Sequence, residues 1–327
     1  MRRHAPPPRA TLYGMDAPRE QAPSRRQVLG WLAAAGAAGI AGCRARPGVG
    51  GPAAEGARVA SPATQSAIAA GGSSPARMPV GFVGHGAPTT ALDDRKGGDW
   101  LRWAQSMPKP KAILVVSAHW EEAPLTIGAT TTIPLVYDFY GFPDEMYALK
   151  YEAPGAPALA DRVEALLKGR VQTQRDPERG LDHGTWVPLL RMYPKADVPV
   201  LQVSIPSHFA RDLYAVGRSL APLRDEGVFL LGSGNVTHNL GRIGGGGTPS
   251  WASDFDSWIE DATRRKDLDL LADWERKAPA SKTAHPTREH FVPLLFAAAA
   301  AEPGGDASFP VVGFEGGSIS RRCVQYG

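Results

Sequence analysis

The chain has 327 residues, with 36 Lys and Arg against 33 Asp and Glu, a formal charge of +3 and two cysteines. Six Arg and two acids fall within residues 1–43, which leaves 30 basic and 31 acidic residues in the remainder. That balance excludes the basic footprint that nucleic-acid binding requires, and two cysteines exclude a disulfide-stapled scaffold.

In chain order, the first feature is Arg25-Arg26, followed by a short Ala/Gly-rich apolar run that ends in Ile40-Ala41-Gly42-Cys43. The run is too short to span a roughly 30 Å hydrocarbon core. Positive residues, apolar run, small residues and cysteine in that order resemble a twin-arginine export signal with a lipoprotein cleavage box. The resemblance implies that residues 1–43 are a signal, with Met1 or Met15 as the start. It further implies a periplasmic, membrane-tethered protein lipidated at Cys43, which leaves Cys323 without a disulfide partner. Twin-arginine export carries folded proteins, so a metal can be loaded beforehand. Residues 44–77 are rich in Ala, Gly, Pro and Ser and are expected to form a flexible tether. The expected catalytic domain is 78–327, long enough for one substantial core.

From Met78 onward short apolar runs alternate with helical patterns, the signature of an α/β domain. Strands are expected at Met78–Val83, Lys111–Ser117, Asp197–Ile205 and Gly227–Gly232, with Phe309–Phe314 and Ser318–Gln325 closing the sheet as a hairpin. Helices are expected at 156–168, 186–193, 209–223, 250–265 and 288–301; in the fourth, Trp251, Phe255, Trp258, Ile259 and Ala262 share one face. Between strands and helices lies Thr131–Gly155, a long aromatic loop suited to covering a pocket. The glycines 244–247 lack the preceding strand and following Gly-Lys-Ser/Thr of a phosphate cradle and are expected to be a flexible turn.

Seven histidines follow the tether: 85, 119, 183, 208, 238, 285 and 290. His85, His119 and His238 each come shortly after an expected strand, and ligands of open α/β sheets bind at the carboxyl edge of the strands. His290 is expected in the first turn of the last helix, with Thr287 as N-cap. His183 also begins a helix, with Asp182 beside it to fix its tautomer. His208 and His285 are assigned to the surface or to a supporting position. One divalent metal ion held by His85, His119, His238 and His290 is the expected centre. Imidazole suits Zn, Fe, Cu and Ni, so donor type does not choose the metal.

Six blocks occur in order: Gly84–Pro88, Ser117–Trp120, Tyr137–Pro143, Asp182–Trp186, Gly234–Leu240 and Thr287–Leu295. Together they resemble the class III extradiol ring-cleavage dioxygenases, specifically the DOPA 4,5-dioxygenase branch, over nearly all of Met78–Gly327. The resemblance implies a single domain whose mixed central sheet is flanked by helices, and a mononuclear centre. His85 and His119 match the first two ligands, His290 matches the last, and His238 lies at or beside the metal. His183 matches a pocket histidine that binds substrate and moves protons. His290 stands where most of the class keeps a carboxylate, and Glu289 next to it is an alternative ligand. The implied reaction cleaves a catechol-type ring with O2 on Fe(II), with Zn(II) as the other metal of a nitrogen-rich site. His238 and His183 are the expected catalytic bases, and residues 137–143 flank the ring. Two other readings fit a histidine cluster: a zinc-dependent hydrolase on the same scaffold, and a non-enzymatic periplasmic metal-binding lipoprotein. Neither the natural substrate nor the oligomeric state is legible in the sequence.

Overall fold

The computed structural model describes residues 77–327 except 245, 303 and 304. The expected signal at 1–43, and all but the last residue of the tether, lie outside the described residues. Among the described residues no helix is long and apolar enough to cross a membrane.

Four parallel strands form the centre of an eight-stranded sheet: β1 (Val80–Gly84), β2 (Ala112–Glu121), β5 (Val200–Ile205) and β6 (Val228–Gly234), in the order β5-β2-β6-β1. The sheet is mixed because its edges reverse direction. On one side β3 (Leu125–Ile127) runs antiparallel to β5 and carries β4 (Thr173–Arg175). On the other, β10 (Val324–Tyr326) runs antiparallel to β1 and carries β7 (Ala307–Ser308). The central strands are buried along nearly their whole length, as their unbroken Val/Ile/Leu runs require when helices cover both faces.

Alternation along each strand divides the core in two. Ile113, Val115, Phe229 and Leu231 face a layer made by α1 (Asp94–Gln105) and α3 (His183–Met192), through Trp100, Trp103, Trp186 and Leu189. Leu114, Val116, Val203 and Leu230 face a second layer. That layer contains α2 (Pro157–Leu167), α4 (Ala210–Leu220), α5 (Ser250–Arg264) and the fully buried α6 (Val292–Ala300). Each fully buried large side chain contributes roughly 1.5–3 kcal/mol of transfer free energy, so the two layers hold the sheet rigid. Loops at the carboxyl ends of the central strands therefore stand on a fixed frame.

The expected strands at 78–83, 111–117, 197–205 and 227–232 all form, and four of the five expected helices keep their positions within a few residues. Helix α1 is absent from the sequence reading because Gly97 and Gly98 mask it. Asp93 caps it by accepting the Lys96 backbone N–H at 2.9 Å, and Trp100, Trp103 and Ala104 give it a buried stripe. In α5 Phe255, Ile259 and Ala262 are buried, whereas Trp251 and Trp258 are only partly so. The last helix begins at Val292, so His290 precedes it in a turn, and Thr287 donates to Glu289 instead of capping. The C-terminal hairpin also differs from expectation. Phe314–Glu315 (β8) pairs with Ile319–Ser320 (β9) as a separate two-stranded unit, turned by Gly316 and Gly317 at φ of 56° and 82°. Pro310 and Gly313 interrupt the run before it, and β10 with β7 closes the main sheet instead.

Candidate metal centre

Five histidines gather at the carboxyl edge of the central strands. His85 follows β1 directly, and its backbone N–H donates to Gly234 O at 2.9 Å, tying it to the end of β6. His119 lies inside β2, within the stretch from Val116 to Glu121 where the register against β5 shifts, the kind of bulge that re-aims a side chain next to a site. His183 opens α3. Gly184 lets this helix come close, since a Cβ there would lie 2.5 Å from Ser117 Oγ and 2.8 Å from the His119 ring. His290 is laid against β6 in the same way. A Cβ on Gly234 would lie 2.1 Å from His290 O, and Asn235 N–H donates to that carbonyl at 2.9 Å. His238 follows Thr237, and its ring stacks on His290 with centroids 3.4 Å apart and planes 9° apart.

The rings are oriented by what holds their Nδ1 atoms. Pro188 inside α3 has no N–H, so the Gly184 carbonyl lacks its helical partner and accepts the Ser233 hydroxyl at 2.5 Å. Having given up its only proton, Ser233 Oγ accepts from His85 Nδ1 at 3.0 Å. His85 is thereby the Nδ1–H tautomer with its Nε2 lone pair free, and that Nε2 lies 3.2 Å from His119 Nε2. Asp138 stands behind the next two rings, with Oδ2 3.2 Å from His119 Nδ1 and Oδ1 2.9 Å from His183 Nδ1. The same Oδ1 accepts the His183 backbone N–H at 3.0 Å. Glu289 Oε1 is 2.9 Å from His290 Nδ1 and also accepts the Thr287 hydroxyl. A carboxylate or hydroxyl behind an imidazole, as these four rings have, is the usual means of presenting the opposite nitrogen to a metal.

Donor atoms fall into two sets. Those of His85, His119 and His183 lie within 4.8 Å of one another, as do those of His238, Glu289 and His290. The sets adjoin, because the His290 ring centroid is 5.3 Å from that of His85 and 4.9 Å from that of His119. His290 Nε2 is buried and makes no hydrogen bond. A lone pair left so costs about 1–3 kcal/mol unless a ligand takes it up. An all-imidazole face with such an orphan fits a borderline-soft divalent cation such as Zn(II) or Fe(II).

Burial keeps most of these rings neutral. It lowers His85, His290 and His238 well below the ordinary histidine value, reinforced by their imidazole neighbours. His183 is lowered too, by burial first and His119 second, against the pull of Asp138. His119 is raised: burial opposes its charge, but Asp138 outweighs burial. Burial would lift the Asp138 carboxyl, yet His119 and His183 hold it well below the usual carboxylate range.

The structure thus brings together all five sequence-selected histidines and Glu289, with His183 in one donor set with His85 and His119. Asp182 does not face the His183 ring. It is fully buried, accepts from Ser117 Oγ, Gln202 Nε2 and the Thr185 N–H, and so caps α3 and braces the floor beneath His119. His208 pairs with Glu121 and is partly exposed. His285 is 4% exposed, among Phe255, Trp274 and Phe291, and its Nε2 donates to Val236 O at 2.7 Å. In the aromatic loop Phe139 is buried against Phe142, Tyr147 and Trp186 and touches His183 at 5.7 Å between centroids, while Tyr140 is 57% exposed. Asp138 and Ser233 escaped the sequence reading; Asp138 had only its place between Tyr137 and Phe139 as a signal.

Comparison with known proteins shows the family of the chain. Residues 95–316 match the model of the catalytic LigB subunit of aromatic ring-opening dioxygenase. A "4,5-DOPA dioxygenase extradiol" of Beta vulgaris is 43% identical over 73% of this chain and 92% of its own length. One of the same description from Escherichia coli K12 is 39% identical over 77% and 95%. The crystal structure of an uncharacterized Escherichia coli K12 protein is similar with a TM-score of 0.66 and 36% identity, covering 77% of this chain and all of that one. The chain belongs to the LigB family of class III extradiol dioxygenases, with DOPA 4,5-dioxygenases among its homologues.

Proposed function

We propose that this protein cleaves a catechol-type aromatic ring in the extradiol manner, consuming O2, at one divalent metal ion. The observation that carries the reading is the orientation of the imidazoles: Ser233, Asp138 and Glu289 each stand behind an Nδ1, so that Nε2 lone pairs are left for a metal. His85 and His119 would be the first two ligands and His290 the third, with Glu289 orienting His290 instead of competing with it. His238, stacked on His290, stands at the border between ligand and base.

A bound divalent ion supplies Lewis acidity that lowers the pKa of a coordinated hydroxyl. Removing both catechol protons then requires two acceptors. His183 is one, with the Asp138 carboxylate behind its Nδ1 to stabilise the imidazolium. His238 is the other: burial keeps it neutral, and its side chain remains partly accessible. Phe139, packed on His183, excludes water from that side of the ring.

The test is O2 uptake by anaerobically purified, Fe(II)-loaded protein across a panel of catechols. One O2 consumed per ring and a yellow ring-fission product are expected. No uptake and no colour with any catechol would sink the dioxygenase reading. Zinc-loaded protein that hydrolyses esters or amides without O2 would put the hydrolase in its place.

The proposal extends to location. Arg25-Arg26 and the Ile40–Cys43 box support export and a lipid tether at Cys43. Cys43→Ala should move the exported protein from the membrane fraction to the soluble one.

A further inference from the structure

His85 and His238 stand on loops that leave different strands, and a third element touches both. Glu315, at the end of β8, is 8% exposed. Its Oε2 accepts the Ala87 N–H at 3.1 Å, two residues past His85, and its Oε1 pairs with Lys96 Nζ. The fit is tight, because Gly86 sits at a φ of 61° and a Cβ there would lie 2.6 Å from Glu315 Oε2. A few residues on, the same hairpin holds the other loop. Thr237 Oγ1, next to His238, donates to Ser318 O at 2.7 Å and accepts the Ser320 N–H at 2.8 Å, while Asn235 Nδ2 donates to Ser320 O at 3.0 Å. The hairpin is itself fixed to α5, where Asp256 accepts from Ser320 Oγ at 2.6 Å and from Arg322 through both oxygens.

We propose that Glu315 is a positioning residue for the metal centre, and that through it the β8–β9 hairpin sets the His85 loop against the His238 loop. The proposal rests on the metal-site reading above. Glu315 touches neither ligand atoms nor the space between the rings. It acts by holding the Ala87 backbone, which fixes the exit of the chain from His85, while Ser233 fixes the ring. Losing either hold lets His85 drift, and supporting groups of this kind typically change metal affinity by about 10–100-fold.

The experiment measures zinc affinity by competition with a chromogenic chelator, alongside urea unfolding of the zinc-free protein, for the full chain and its variants. Glu315→Ala is expected to bind zinc about 10–100-fold more weakly. Glu315→Gln, whose amide oxygen still accepts the Ala87 N–H, should recover to within a few-fold of wild type although it loses the Lys96 charge pair. That contrast separates positioning from simple stability, because both variants remove the part-buried ion pair with Lys96. Gly86→Ala pushes the same loop from the other side and should weaken zinc similarly. In the double variant Gly86→Ala/Glu315→Ala the two losses should not add. Wild-type zinc affinity in folded Glu315→Ala, or in Gly86→Ala should Glu315→Ala fail to fold, overturns the proposal and leaves the dioxygenase reading intact. Losses in Glu315→Gln as large as in Glu315→Ala overturn it too. A wild-type chain that binds no zinc overturns the metal-site reading, and this proposal with it.

Discussion

Asp138 lies between the imidazoles of His119 and His183, and its charge decides what each ring can do. Its two oxygens take the two Nδ1 positions at 3.2 and 2.9 Å, so both rings present Nε2 to the centre. Asp138→Asn keeps the shape but replaces one acceptor with an NH2 donor, which faces an Nδ1–H and forces that ring to swap tautomer or turn. Zinc affinity is expected to fall on the order of 10–100-fold, with catechol turnover falling at least in step, while far-UV circular dichroism stays unchanged. Wild-type zinc affinity in this variant would remove Asp138 from the centre. Such a residue is hard to find in a sequence because an aspartate in an aromatic loop follows no period. His85, His119 and His238 were legible for the opposite reason: each comes at or shortly after the end of an apolar run, and strand ends are where such folds gather ligands. What the sequence left open is which nitrogen each ring offers. That depends on partners as remote in sequence as Ser233 is from His85 and Asp138 from His183.

At the level of elements, β6 and the segment before α6 form one unit. Apolar runs announced the central strands, whereas Gly97 and Gly98 masked the cap and buried stripe of α1, and Pro310 and Gly313 left β8–β9 a hairpin separate from the main sheet. Glycines in β6 have a legible identity but an illegible purpose until the partner is seen. Gly232 and Gly234 leave room for the backbone of Pro293 and His290, which would meet a Cβ at 2.3 and 2.1 Å. Gly234→Ala therefore has to push the His290 segment off the strand. It should cost about 1–3 kcal/mol in urea unfolding, as overpacking does, and weaken zinc binding by more than that stability loss explains. Gly246→Ala is the matched control, with nothing within 4 Å of the added methyl; its stability should stay within about 0.5 kcal/mol of wild type. Equal effects of the two substitutions would mean that the close approach at Gly234 does not set the position of His290.

Gathering so many imidazoles in one buried region has a consequence for the stability of the whole molecule. In the unfolded chain each titrates near its ordinary value, about 6.5. In the folded protein His85, His183, His238, His285 and His290 are all lowered, mainly by burial. As pH falls below 6.5 the unfolded state therefore takes up protons that the folded state refuses, and stability drops. His119 and His208, raised through Asp138 and Glu121, act in the opposite direction but are fewer. His285 supplies one such increment: it is buried among Phe255, Trp274 and Phe291, within electrostatic reach of His238 and His290, and burial lowers it to about 4. Between pH 6.5 and pH 4 it alone removes about 3 kcal/mol, from 1.36 kcal/mol per unit. Below pH 4 both states carry its proton and the loss stops growing. His285→Gln can still donate to Val236 O but does not titrate, so its unfolding free energy should fall less steeply across this window than that of wild type. Urea titrations of both zinc-free proteins at pH 7, 5.5 and 4.5 measure the difference in slope, which should approach one proton. Parallel curves would mean that His285 takes up its proton in the folded state as readily as in the unfolded chain, and that burial among the aromatic rings does not exclude the charge.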